Sequence, residues 1–121
     1  VIDAVVNSLK NGKDELKRDN ITLSEDQKFL KDSADHLQKM VVLAQKIDEK
    51  LTYKAQREFA DKPDEKKFIE EKLIFALRQK IMDFQQQLAV VQQGIISIEI
   101  IQKNNQELIL KNSSPTFRMS K

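Results

Sequence analysis

Leu9, Leu16, Leu23, Leu30, Leu37, Ala44 and Leu51 recur at seven-residue intervals through the first half of the chain. A stripe of that length and period predicts a helix with coiled-coil-like packing. Val5, Met40, Val41 and Ile47 flank it, but around residues 10–35 the flanks read as Gly12, Asp19, Asp26 and Ser33. The predicted seam is therefore narrow there. "NGK" at 11–13 and the capping-box pattern "TLSE" at 22–25 are local break signals. The leucine phase crosses both unchanged. One helix is expected over about residues 2–58, with Gly12 and Asn20 as the places for a kink.

"FADKPDEKKF" is the clear turn, expected at about 59–63, with Asp61 as candidate cap and Pro63 at the first helical position. A second helix is expected over about 63–112. Leu77, Phe84, Val91, Ile98 and Asn105 form one of its lines; Ile74, Ile81, Leu88, Ile95, Gln102 and Ile109 form the other. Pro115 is a firm stop, and 113–121 reads as a flexible tail. So short a connection makes the helices antiparallel neighbours, each on the order of 75 Å long at 1.5 Å per residue. The expected fold is all-α: one elongated antiparallel helical hairpin, completed by oligomerisation or by further helices.

The second helix is apolar on nearly every side. Residues 73–112 hold 20 apolar and only seven charged positions, and "QQQLAVVQQG" at 85–94 is half glutamine. Amides stay polar while avoiding the cost of desolvating a charge. They mark a helix that is partly solvated and buried by more than one neighbour. Val90, Gly94, Ser97 and Ile101 form a small-residue line suited to close approach of another helix, if that line faces away from the first one.

Composition narrows the function. The 121 residues make one domain at most, and 21 Lys plus Arg against 19 Asp plus Glu leave a net charge of +2. Such a balance gives no footprint for nucleic acid or an anionic membrane. The longest apolar region, residues 88–101, has 14 residues and includes Glu99, short of the roughly 20 that span a bilayer. With no cysteine there is no disulfide and no thiol chemistry. The chain opens on Val1 rather than Met, as expected of a fragment or a processed product.

No residue set announces a reaction. His36, with Asp32 four residues before it, reads as a surface histidine rather than a metal ligand. Asp64, Glu65, Glu70 and Glu71 read as a solvated first turn complementing the helix dipole. Ser113 and Ser114 have no neighbouring base, and Asn104 and Asn105 read as register-setting or helix-end amides. Asn20 and Asn105 lie about equally far from the turn and are expected to meet. No catalytic residue, cofactor or metal site is expected.

Three segments carry a resemblance: "LKNGKDELKRDN" (9–20), "KLIFALRQKIMDFQQQLAVVQQG" (72–94) and "IIQKNNQELI" (100–109). In order and spacing they resemble the bacterial TelA/KlaA family, named for toxic-anion (tellurite) resistance. The matching positions include Gly12, Lys13, Asp14, Asp19, Asn20, Arg78, Gln79, Asp83, Gln87, Ala89, Val90, Gln93, Gly94, Lys103, Asn104, Asn105, Glu107 and Leu108. Family chains are longer, with a Thr-rich segment where this one has "LKNSSPTFRMSK", so a fragment or short divergent member is implied. The resemblance implies a cytoplasmic, all-helical protein tied to resistance to tellurite and to envelope stress; the long apolar helices, the amide-rich face and the lack of a catalytic set point to a non-enzymatic scaffold that associates with itself or with another helical protein. The alternative is a direct oxyanion binder or sequestering protein, with weak anion contacts at Lys13, Arg18 and Arg78.

Overall fold

The computed structural model describes residues 1–113 and is all-α. Helix α1 spans Ile2–Arg57, α2 spans Pro63–Phe68, a π-helical segment spans Ile69–Ile74, and α3 spans Phe75–Ser113. Helix α1 is unbroken through "NGK" and "TLSE". The tail expected over 113–121 lies outside the described residues, apart from Ser113 at the end of α3.

The turn follows from its residues. Lys54 and Arg57 stand in the last turn of α1, where cations suit the dipole. Glu58 and Phe59 close the helix through N–H bonds to the Lys54 carbonyl, at 2.9 and 3.1 Å. Pro63 opens α2, followed by Asp64 and Glu65. The expectation for Asp61 fails: the cap position is Lys62, which makes no side-chain cap bond. Pro63 at the first helical position leaves one fewer unpaired N–H in that turn.

The π-helical segment was not expected. The inward residues Lys66, Ile69, Ile74, Leu77 and Ile81 are spaced three, five, three and four apart. An α-helix keeps one face at three or four. A five-residue step rotates the chain off that face unless a wider turn absorbs the extra residue. The wider turn keeps half-buried Ile69 and buried Ile74 on one side.

The chain forms two compact units. One comprises Val1–Lys31 with Gln93–Lys121, the other Asp32–Gln92. In each, α1 packs against the returning helix. Every residue of the leucine stripe is half-buried, except Ala44, which is buried. Both lines of the second helix also turn inward, from Ile74 to Ile109 and from Leu77 to Asn105.

In the second unit Val41, Ala44 and Ile81 form the core, with Leu77 and Phe84 against them. Val41 belongs to a line the leucines hide. Lys13, Asn20 and Gln27 in the first unit, and Ala34, Val41, Asp48 and Ala55 in the second, also recur every seven residues and all turn inward. The flank expected at Asp19 and Asp26 is instead exposed. The seam of α1 thus has two lines throughout, and its second line is polar for much of its length.

Candidate functional site

In the first unit the polar seam residues bond across the two helices. Asn105 Nδ2 donates to Asn20 Oδ1 at 2.9 Å. Asn20 Nδ2 donates to the Gln102 carbonyl at 3.3 Å, and Gln102 Nε2 donates to the Asn20 carbonyl at 3.1 Å and to Ser24 Oγ at 2.7 Å. One turn along, Gln27 Nε2 donates to Glu99 Oε1 at 3.2 Å and to the Ile95 carbonyl at 3.5 Å. Each helical carbonyl has a second lone pair for such a bond. The ladder is neutral apart from Glu99 and presents no acid–base pair. It fixes which turn of α1 faces which turn of α3.

Gly94 belongs with this seam. A Cβ built there would stand 3.2 Å from Leu30 Cδ1. Val90 and Ile101 are exposed, as is Ser97, whose Oγ donates back to the Gln93 carbonyl at 2.9 Å. Gly94 therefore faces the first helix, against the arrangement supposed for the small-residue line. A Cβ built at Gly12 would meet no atom of the described residues within 4 Å.

In the second unit Asp48, on the hidden line, accepts from Arg78 Nε at 2.8 Å and Arg78 Nη2 at 3.2 Å. Thr52 Oγ1 donates to it at 3.1 Å. The Arg78 hydrogen bonds hold the Asp48 carboxyl below its ordinary range, and Asp48 in turn raises the Arg78 guanidinium. Arg78, a candidate anion contact from sequence, already has a bidentate carboxylate partner.

The other singled-out residues lie apart. Asp19, Gln79, Asp83, Gln87, Ala89, Gln93, Lys103, Asn104, Glu107 and Leu108 are exposed. His36 and Asp32 are exposed, and no group of three or more His, Cys, Asp or Glu among the described residues could hold a metal ion. Lys13 and Asp14 are half-buried and line a cleft of about 330 Å³ with Leu9, Lys10, Lys17 and Asn112. Arg18, the third candidate anion contact, is exposed and is not among the residues lining that cleft.

Sequence reading missed Gln27, Ser24, Asp48, Thr52, Lys10 and Lys17 as members of these groupings. A heptad count started at Val41 finds Asp48 and Gln27. Ser24 and Lys10 have no signal of their own.

No described helix is long and apolar enough to cross a membrane. No curated protein and no solved structure matches the chain. The profile of the family described as "Toxic anion resistance protein (TelA)" matches residues 1–117. With nearly the whole length covered, the chain belongs to the TelA family of toxic anion resistance proteins.

Proposed function

We propose that this chain is a non-enzymatic helical interaction module of a cytoplasmic toxic-anion resistance system. The observation that carries the reading is apolar surface left in water. The first unit exposes Phe29, Ile96, Ile100 and Leu110; the second exposes Phe68, Phe75, Met82 and Val90. Among the described residues only Val41, Ala44, Ala55, Ile74, Ile81 and Ile98 are buried. Large side chains outnumber what a paired helix covers, and such surfaces mark protein contacts. Burying one of them fully is worth about 1.5–3 kcal/mol, enough in sum for association at micromolar concentration. The partner is a second copy or another helical protein.

Sedimentation equilibrium and a resistance assay test this together. Phe75→Glu with Met82→Glu is expected to weaken association and lower host survival on tellurite while helicity is retained. A monomeric wild type that captures no helical partner and still supports resistance overturns the proposal.

The second reading, direct oxyanion binding, is favoured by one observation, the lysine cleft of the first unit. Arg78, held by Asp48, no longer supports it.

A further inference from the structure

The cleft lies one heptad beyond the Asn20–Asn105 pair. Seven residues before Asn20 is Lys13, and seven residues after Asn105 is Asn112. Both are half-buried and line the same cleft. A lysine thus occupies a seam position of α1 opposite an amide of α3. A seam ammonium calls for a carboxylate, as Asp48 and Arg78 satisfy each other in the second unit. Among the described residues Lys13 has no such partner.

Its neighbours deepen the imbalance. Lys10, Lys13 and Lys17 stand three and four residues apart, on successive turns of one helix face. Asp14 lies four residues after Lys10 and three before Lys17, the spacings at which helical ion pairs form, yet it pairs with neither. Among the described residues three cations and one carboxylate line the cleft, a surplus of two positive charges. Its volume, about 330 Å³, is at the low end of the roughly 300–1,000 Å³ of small-ligand sites.

We propose that this cleft binds a compact dianionic oxyanion group of the phosphate or sulfate type. The charge of the ligand matches the surplus. Lys10, Lys13 and Lys17 donate to its oxygens, as does the Asn112 amide. Leu9 and the lysine stems wall the cleft. The Asp14 carboxylate accepts from a protonated oxygen, where the anion carries one, and repels a fully ionised one. The group could arrive as a free ion or on a lipid headgroup; the recognising chemistry is shared. This inference deepens the oxyanion reading and is independent of the exposed apolar faces, so either can fail alone.

Isothermal titration of the 121-residue chain at low salt tests it, with inorganic phosphate and sulfate as probes. Saturable one-to-one binding is expected. Lys13→Gln should weaken it about tenfold, the scale of one charge-assisted hydrogen bond, and Lys10→Gln with Lys13→Gln and Lys17→Gln should abolish it. Lys46→Gln, in the other unit, should change nothing. Asp14→Asn should tighten sulfate binding roughly fivefold by removing one nearby like charge, a gain that a folding defect cannot imitate. Sedimentation with vesicles of phosphatidic acid against phosphatidylcholine separates the sources. Binding to the acidic vesicles without binding to free anions assigns a lipid headgroup, and the triple variant must lose it. No saturable binding to any probe, or equal binding by the triple variant, overturns the proposal.

Discussion

Asn105 and Asn20 share a 2.9 Å side-chain hydrogen bond across the helices of the first unit, 85 residues apart in sequence. The Asn20 side chain makes a second bond, to the Gln102 carbonyl, so the two residues are unequal. At about 0.5–1.5 kcal/mol per bond, Asn20→Ala should cost about twice as much stability as Asn105→Ala. Urea unfolding of the two single variants and the double variant measures this, and the double variant should cost less than their sum. Equal losses that simply add would show that the ladder is not coupled.

Gly94 and Gly12 should respond oppositely to side chains. Gly12→Ala meets no atom of the described residues within 4 Å and should stabilise the chain by about 1 kcal/mol through helix propensity. Gly94→Leu must displace Leu30 and should destabilise by about 1–3 kcal/mol, as overpacking does. Leu30→Ala should recover part of that loss. Thermal melts at two protein concentrations check the origin: crowding within the chain gives the same loss at both, whereas a contact between chains gives a loss that depends on concentration.

The Asp48–Arg78 pair predicts a pH dependence. Asp48 has a folded pKa below its ordinary 3.8 because Arg78 hydrogen-bonds its ionised form. Its contribution to stability is therefore fully present above pH 3.8 and is lost as pH falls through the lower folded value. Arg78→Leu should lower the melting temperature at pH 7, with the difference from wild type shrinking in acid. Arg78→Lys should restore only part of it, since an ammonium cannot reproduce the two-pronged contact. A gap that persists undiminished at pH 2 would assign the effect to packing by the arginine stem. Added salt should narrow the gap modestly, because Arg78 is largely solvated.

Deleting Glu71 should convert the π-helical segment to α-helix. Ile69 and Ile74 would then stand four positions apart, still on one face. The expected result is retained helicity by circular dichroism and an unfolding midpoint equal to or above wild type. Unfolding of the deletion variant would show that the wide turn is required for the packing of the second unit.

The period of the apolar residues determined much by itself. Seven-residue spacing decides which side chains share a helix face, and the stripe leucines Leu9, Leu16, Leu23, Leu30, Leu37 and Leu51 face inward as that spacing dictates, while Leu43, off the stripe, is exposed. The turn was legible because Pro63 and the acids after it suit only the start of a helix. The meeting of Asn20 with Asn105 was legible because equal distance from a tight turn sets the register of an antiparallel pair. The second seam line of α1 was not, because Asn20, Gln27 and Asp48 look like surface residues until their partners arrive from the other helix. The same holds for Gly94, whose neighbour Leu30 is 64 positions away in sequence. It holds for Arg78, whose charge is answered by Asp48, and for Lys13, whose charge no described carboxylate answers. A periodic sequence states which face a residue occupies; whether a polar group on that face is satisfied depends on the other helix, and only the tertiary pairing supplies it.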